Sequence, residues 1–360
     1  MAITYALAGP DDEGDIRRLL RENPMGGGWK ISLEREPDGL GGPHVPGERR
    51  AMVIARDSAS GKAVGLCERL VRPAWVNGKR RLLPYLGALR IAHSHRHRIA
   101  ILRGGFQTLR DVAERGDECG FSLTSIAADN SAARRVLTAG LKGLPRYVPV
   151  GALATLMVRA RRFRRDPDIG AVNPEDVPQI GAFLAREGAR RQFAPLWEEI
   201  VAAGQAGLTL LALRQQGEIL GTIGVWDQRG SRQVVVRGMP PLVRALRGGV
   251  NLIAPLLAMP SIPGVGERIE QAYLPALTAA DDDPRIALRL VRAALSLAAA
   301  QGMGVGVLGL PAGHPWHGAF KRQLRALEYR TELFAVHWPD GDPGFAPADP
   351  RPVFPDVSLL

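Results

Sequence analysis

One stretch of this sequence, residues 81–137, alternates between strand and helix patterns around a basic turn. Residues 82–91 form an apolar run of strand length, and residues 99–113 then show helical periodicity. The link between them, residues 93–98, reads His-Ser-His-Arg-His-Arg. A cationic turn that enters a helix N-terminus favours an anion, because free backbone N–H groups and the helix dipole point outward there. The stretch therefore predicts an α/β arrangement with an anion site between a strand and a helix.

A strand pattern at residues 121–126 and a second helix that begins with Asn130-Ser-Ala-Ala133 complete this stretch. The layout resembles the acyl-CoA core of the GNAT (Gcn5-related) acyltransferase superfamily. The resemblance implies that the fourth and fifth strands of a domain run parallel and splay apart, with the pantetheine arm of CoA in the cleft between them. The pantetheine amides would then pair with the exposed backbone of the fourth strand, a form of strand addition.

The phosphate turn of that family is Arg or Gln, two residues, Gly, one residue, then Gly or Ala. Arg96 takes the first position here, whereas Ile99 and Ile101 stand where the small residues are expected. Arg98 and Arg103 can compensate through charge-assisted bonds to phosphate. A solvated basic turn that binds nothing is the alternative. The resemblance assigns acyl-CoA binding to Leu89, Arg90, Ile91, Arg96, His97, Arg98, Ile99, Ala100, Ile101, Leu102, Asn130 and Ala133.

Acyl transfer to an amine by direct attack needs a base for the amine proton and a donor to the thioester carbonyl. Glu68, on the third strand pattern of the first half, is the predicted base. The predicted donor is a backbone N–H between Leu89 and Ile91. The family often carries a Tyr seven residues after the Asn, as general acid to the leaving thiolate, but Leu137 stands there. Tyr147 is the nearest phenol, in a later predicted loop.

The chain repeats one order of patterns twice. An acidic start followed by a helix occurs at residues 11–20 and 173–184, and a hairpin pattern that ends in Gly follows in each half, at Gly65 and Gly221. A strand, a helix, a strand and a helix come next in both halves. The sequence predicts two tandem GNAT-like domains of mixed α/β class, each a mostly antiparallel sheet with a splayed parallel strand pair and flanking helices. The alternative is two unrelated α/β domains that share this rhythm.

The predicted domains are residues 1–158, which would bind acyl-CoA, and residues 168–338, a degenerate copy. A basic linker, residues 159–167, joins them, and a Pro-rich tail, residues 339–360, is predicted to lie on the surface outside both cores. In the second domain, the turn equivalent to the phosphate turn carries three carboxylates, Asp281–Asp283, which would repel a pyrophosphate. The second domain is therefore predicted to have lost CoA binding, or to use this turn for something cationic.

Composition narrows the class of partner. The formal net charge is +11, but the arginines are scattered through both halves, which speaks against nucleic acid as the main partner. Cys67 and Cys119 are too few for a disulfide framework or a zinc site, which favours a reducing cytoplasm. No apolar run reaches the roughly 18 residues of a membrane span. His93, His95 and His97 lack Cys or carboxylate partners at ligand spacing, so no metal is predicted.

The predicted function is N-acyltransfer from acetyl-CoA or another acyl-CoA, used as co-substrate, to an amine of a small molecule or peptide. Two alternatives stay open. One is a non-catalytic GNAT-like binding or regulatory module, which the missing glycines, the missing tyrosine and the acidic second turn favour. The other is an acyltransferase that uses an acyl carrier protein as donor, because the acidic surface of such a carrier would suit the basic turn.

Overall fold

The computed structural model describes residues 2–26, 28–42, 44–112, 118–257, 259–338 and 349–360. The strands in these ranges are β1 (Ile3–Leu7), β2 (Lys30–Glu34), β3 (Arg49–Asp57), β4 (Ala63–Val76), β5 (Lys79–Ile91), β6 (Ser122–Ala127), β7 (Arg146–Arg159), β8 (Ile169–Ala171), β9 (Ala194–Pro195), β10 (Leu208–Gln215), β11 (Glu218–Trp226), β12 (Gln233–Gly238), β13 (Gln271–Tyr273), β14 (Thr278–Ala279), β15 (Val305–Pro311) and β16 (Leu327–His337). The helices are α1 (Glu13–Glu22), α2 (Ile99–Asp111), α3 (Ser131–Leu137), α4 (Val177–Gly188), α5 (Trp197–Ala202), α6 (Pro241–Ile253), α7 (Pro284–Ala300) and α8 (Pro315–Leu324).

The main sheet has matching strands at mirrored places. Its order is β1-β3-β4-β5-β6-β16-β7-β15-β13-β11-β10-β8, with β14 paired to β11 and β9 to β4. Counting inward from the two edges, β1 corresponds to β8, β3 to β10, β4 to β11, β5 to β13 and β6 to β15. Of the strand pairs in the described ranges, β5–β6 and β13–β15 are parallel and the others are antiparallel. The fold is therefore the predicted mixed α/β class, with one parallel pair in each half.

The two halves exchange their last strands at the centre of the sheet. β16, from the end of the second half, lies between β6 and β7 and is antiparallel to both. β7, the last strand of the first half, pairs in turn with β15 of the second half. Backbone hydrogen bonds therefore join the halves at three successive strand pairs, and neither half has a complete sheet of its own. The domain boundaries derived from the sequence stay a prediction.

Acidic residues begin the first helix of each half, as the sequence predicts. The Asp12 carboxylate accepts a hydrogen bond from the Gly9 N–H at 2.9 Å, and Asp176 accepts one from the Asn173 N–H at 3.1 Å. These bonds satisfy N–H groups near a helix start, which lack partners within the helix. The helices that follow, α1 and α4, each turn an apolar stripe towards the core. The two halves therefore start in the same way.

Gly65 and Gly221, which end the two hairpin patterns, lie at equivalent points of β4 and β11. A Cβ atom on Gly65 would lie 3.2 Å from Ile101 of α2, and one on Gly221 would lie 2.8 Å from Leu290 of α7. Each glycine thus allows its helix to pack closely on the sheet. A close approach of helix and sheet at matching places is what a duplicated fold requires.

The last described segment, residues 349–360, is partly buried, at Phe354, Pro355, Ser358 and Leu359, so its predicted place on the surface outside both cores was wrong. Phe354 is 8% exposed and lies in the core, with the Arg191 guanidinium 4.2 Å above its ring. The Phe354 N–H donates to the Gln192 carbonyl at 2.8 Å. Isolated apolar residues between prolines carry no periodicity, so the partners that bury them cannot be inferred locally. The rest of the predicted tail, residues 339–348, lies outside the described residues.

Replacing Phe354 by Ala should lower the free energy of unfolding by about 3 kcal/mol, the usual cost of removing a buried aromatic ring. Chemical denaturation of wild type and variant would measure the change. Leu256→Ala is the control, because Leu256 is 84% exposed and its truncation should change stability by no more than about 0.5 kcal/mol. Equal, small losses in both variants would contradict the buried position of the C-terminal segment.

Candidate functional site

β5 and β6 run parallel but separate soon after they meet. Their registered strand pair is Tyr85 with Leu123. One residue further on, the strands are linked by a side chain instead, because Thr124 Oγ1 donates to the Leu86 carbonyl at 2.7 Å. Beyond this point no strand pairing between β5 and β6 is formed by the described residues. A cleft therefore opens between the C-terminal ends of the two strands.

A β-bulge reshapes β5 beside this cleft. The register with β4 shifts so that Ala88 and Leu89 lie opposite Cys67 alone. Ala88 has a φ of 49°, which lies in the left-handed region. A bulge takes backbone groups out of the ladder and re-aims them. The carbonyl donor predicted from the sequence, the N–H groups of Leu89–Ile91, begins at this bulge.

The basic turn leads from β5 into α2 with the geometry of an anion site. His93–His95 form one 3-10 turn, and Arg98 is the N-cap residue of α2. No carbonyl or side chain of the described residues accepts a hydrogen bond from the N–H groups of Ile99 and Ala100. The exposed side chain of Arg96 lies at the same turn. Free N–H groups at a helix N-terminus together with a cation are suited to phosphate.

Most residues predicted to bind acyl-CoA gather around this cleft. A small cavity with about 280 Å³ of empty space lies between the strands and α2, and its lining includes Leu89, Arg90, Ile91, Ile101 and Leu102. His97 is exposed at the turn. Asn130 caps α3, because its Oδ1 accepts a hydrogen bond from the Ala133 N–H at 3.1 Å. The direct roles of these residues in binding stay predictions.

The phenol of Tyr147 lies close to the cleft. The sequence places Tyr147 in a loop, but in the structure it belongs to β7, and its ring centroid is 5.9 Å from that of Phe334. Leu89, Ala133 and Leu137 belong to the same hydrophobic cluster. Burial raises the pKa of the Tyr147 phenol, so it stays protonated at neutral pH. The structure thus brings a protonated phenol to the side of the cleft where the expected tyrosine is missing.

Glu68, the predicted base, is buried and paired with arginines. Its side chain is 2% exposed, and the Arg35 guanidinium donates to both carboxylate oxygens, at 2.9 and 2.5 Å. Arg50 Nε lies 3.4 Å from the same carboxylate. Although burial raises it, Arg35 and Arg50 hold the pKa of Glu68 below its usual range. A carboxylate held in this way accepts a proton weakly, and its role as base stays a prediction.

A larger cavity lies on the face of β5 opposite α2. It has about 550 Å³ of empty space between β4, β5, α5 and the C-terminal segment. Most of its lining is apolar: Val45, Leu83, Leu123, Phe193, Ile200 and Leu359. Tyr85 and Asp356 are two of its polar lining residues, and the Tyr85 hydroxyl lies 2.8 Å from Ser125 Oγ on β6. Complete burial raises the pKa of the Asp356 carboxyl.

The acidic turn of the second half is occupied by side chains of the chain itself. The Arg191 guanidinium, which is buried, donates to Asp282 at 3.1 Å. Asp283 caps α7, because its carboxylate accepts a hydrogen bond from the Arg285 N–H at 2.7 Å. Two of the three carboxylates are therefore satisfied internally, and the cation at this turn is an arginine of the same chain.

The cleft of the second half is filled by the C-terminal segment. The Asp356 carboxylate accepts a hydrogen bond from the Ala276 N–H, between β13 and β14, at 3.2 Å. Val357 lies so close to Gly309 of β15 that a Cβ atom on that glycine has no room. The segment therefore lies against both splayed strands, at the place that corresponds to the open cleft beside β5 and β6.

The described residues show neither a metal centre nor a membrane-spanning helix. In the ranges that the structure describes, no group of three or more His, Cys, Asp and Glu side chains is arranged to hold a metal ion. Of the helices in the same ranges, none is long and apolar enough to cross a membrane.

Comparison with solved structures identifies the fold. Two N-myristoyltransferase structures from Saccharomyces cerevisiae with bound myristoyl-CoA align over 93% of this chain, with TM-scores of 0.56 and 0.57 and identities of 12% and 11%. They are covered over 79% and 82% of their own lengths. A GCN5-related N-acetyltransferase from Sphaerobacter thermophilus aligns over 92% of this chain and 95% of its own, with a TM-score of 0.54 and 13% identity. The chain has the GNAT fold. No family model and no curated protein matches the sequence.

Within the GNAT fold, β5 and β6 are the fourth and fifth strands that the sequence resemblance predicted to splay. The groups on the opposite face of β5, including Arg35 and Asp356, could not be predicted from the sequence. Arg35 reaches Glu68 from a segment 33 residues earlier, and Asp356 comes from the C-terminal segment. Neither residue belongs to a motif. Their places near the site follow from the folding of the sheet and the burial of the C-terminal segment, which no local pattern predicts.

Replacing Glu68 by Gln should lower the free energy of unfolding at pH 7 by about 3 kcal/mol, because Arg35 and Arg50 lose a buried anion. The folded pKa of Glu68 lies below 4.5. The stability that the Glu68 carboxylate contributes is therefore present above about pH 4.5. It is lost as the pH falls through the lower pKa that Glu68 has in the folded protein. Urea unfolding at pH 7 and pH 3.5 would measure a gap between wild type and variant that narrows in acid. The exposed Glu218→Gln is the control, and a gap independent of pH would contradict this assignment.

Proposed function

We propose that this protein is an N-acyltransferase that moves an acyl group from acyl-CoA to an amine by direct attack. The observation that carries the proposal is the open cleft between parallel strands β5 and β6, which leads to free N–H groups at the start of α2. The solved neighbours with bound myristoyl-CoA support an acyl-CoA co-substrate. The acceptor would be an amine of a small molecule or peptide.

In this proposal the first half holds the acyl-CoA. The pyrophosphate lies at the turn Arg96–Leu102, where the cation and the free N–H groups of α2 meet it. The pantetheine arm lies between β5 and β6, with Asn130 and Ala133 at its side, and pairs with the backbone of Leu89–Ile91. The second half completes the sheet through β16 and closes its own cleft with the C-terminal segment. Only the first cleft is thus available to the donor.

The thioester carbonyl would receive a hydrogen bond from the backbone at the β5 bulge, because N–H groups aimed at the developing oxyanion stabilise the tetrahedral intermediate. Tyr147 would then donate its phenolic proton to the departing CoA thiolate. Burial raises the pKa of this phenol, so it is protonated at neutral pH, the form that a general acid needs, although a higher pKa also makes it a weaker acid. Tyr147 would act as the general acid, a role that the family gives to a tyrosine at the position of Leu137.

The attacking amine needs a proton acceptor on the acceptor side of β5. Glu68 was the candidate from the sequence, but its bonds to Arg35 lower its basicity. Asp356 lines the larger cavity, and burial raises the pKa of its carboxyl, which makes its carboxylate a stronger base than an exposed one. We therefore propose Asp356 as a second candidate base, in addition to Glu68. The two free cysteines fit a reducing compartment such as the cytoplasm.

Acetyl-CoA and myristoyl-CoA should each be tested by calorimetry against wild type and the double variant Arg96→Ala with Arg98→Ala. We expect wild type to bind at least one of them and the double variant to bind it at least 10²-fold more weakly, because two charge-assisted contacts to phosphate are lost. The control is Arg164→Ala with Arg165→Ala, which removes the same charge from an exposed segment far from the turn in sequence.

Failure of wild type to bind either thioester would end the free acyl-CoA proposal. Binding of an acylated carrier protein instead would select the carrier as donor. Tight thioester binding without transfer to any amine would select the non-catalytic module.

Tyr147→Phe should lower kcat about 10- to 100-fold with little change in the KM for acyl-CoA, because only the proton for the leaving thiolate is removed. Thiol release under saturating donor would measure the change. Tyr329→Phe is the matched control, since Tyr329 is also a partly buried phenol with a raised pKa but lies on β16. An unchanged kcat for Tyr147→Phe would remove this residue from the mechanism.

A further inference from the structure

Arg90 is a buried guanidinium without an anionic partner among the described residues. Its side chain is 8% exposed, and its Nη1 donates to the carbonyl of the adjacent Leu89 at 2.9 Å. Its Nε is buried and has no hydrogen-bond acceptor in the described structure. Burial, with a smaller contribution from the nearby cations Arg35 and Arg96, lowers the pKa of Arg90 to about 10. The site therefore has a local excess of positive charge.

The other buried arginine of the described residues, Arg191, has the anionic partner that Arg90 lacks. Arg191 is paired with Asp282 at 3.1 Å and donates to the Leu277 carbonyl at 3.2 Å. A buried charge with no counter-ion is costly, by several kcal/mol. A fold that keeps such a charge needs another source of the anion. For Arg90, a bound ligand can supply it.

The position of Arg90 on the sheet indicates which of the two substrates, the acyl-CoA or the amine acceptor, supplies its anion. Arg90 belongs to the lining of the small cavity beside α2, but on β5 it is opposite Leu66 of β4, which packs against α1. Directly opposed residues of an antiparallel pair have their side chains on the same face. Leu89 and Ile91, its neighbours along the strand, pack instead on the α2 side. The phosphates of acyl-CoA belong to the start of α2, on the other face of the sheet. The anion for Arg90 therefore belongs to the acceptor side, next to the bulge where the thioester carbonyl would lie.

We propose that the acceptor carries a carboxylate close to its amine, as an amino acid or a short peptide does, and that Arg90 binds this carboxylate. The inference rests on the proposed acyltransfer and specifies its substrate class. The guanidinium edge at Nε is unused, and a carboxylate can accept two parallel hydrogen bonds from such an edge. This contact would fix the amine beside the thioester.

The test compares the twenty amino acids with the corresponding amino-acid amides, using as donor whichever of acetyl-CoA and myristoyl-CoA the protein binds. Thiol release and the shift of the melting temperature are both recorded for wild type, Arg90→Met and Arg90→Lys. We expect wild type to use or bind at least one acid about 10²-fold better than its amide, because the charged hydrogen bonds are lost with the amide. Arg90→Met should abolish the preference, and Arg90→Lys should keep part of it.

A second readout does not depend on turnover. Without any ligand, Arg90→Met should melt at the same temperature as wild type or higher, since it removes an unpaired buried charge. A clear loss of stability would show that Arg90 supports the fold itself, and would overturn the proposal. So would equal use of acids and amides, or no effect of any acid on melting or on turnover. Failure of wild type to bind acyl-CoA, which calorimetry measures separately, would instead contradict the proposed function.

Discussion

The exchange of β7 and β16 is the constraint on which the rest of the structure depends. Each of these strands pairs with the parallel strand of the half from which it does not come, so that three successive backbone ladders join the halves. Without the exchange, each half would expose an open sheet edge with unpaired N–H and C=O groups. The halves therefore need one another to complete the sheet, and their two clefts lie at mirrored places in it.

The two clefts lie at mirrored places in the sheet but differ in what occupies them. In the second half, the C-terminal segment contributes Asp356 to the backbone at Ala276 and packs Val357 against Gly309. In the first half, β5 and β6 do not pair with each other beyond Tyr85 and Leu123. The same segment also lines the larger cavity, on the face of β5 opposite α2. The segment that fills one cleft therefore also forms a wall of the larger cavity beside the other.

The sequence predicts what depends on local patterns. The strand, turn and helix order of residues 81–137 and the matching places of Gly65 and Gly221 follow from periodicity and spacing, and the structure has them. The burial of residues 349–360 could not be predicted, because isolated apolar side chains between prolines have no period. The pairing of Glu68 was equally hidden, since its arginine partners come from distant segments. Long-range burial and charge pairing are set by the closed sheet rather than by any one stretch.

The two buried arginines of the described residues, Arg191 and Arg90, differ in whether the chain supplies an anionic partner, and the two clefts differ in the same way. A buried ion pair contributes little net stability, whereas a buried charge that lacks its partner is strongly unfavourable. Where the chain supplies the anion, as Asp282 does for Arg191, the cleft is filled and the charge is satisfied within the fold. Where the chain supplies none, as for Arg90, the cleft is open. An unpaired charge and an open cleft thus occur in the same half, which is the arrangement expected of a site whose counter-ion arrives with the substrate.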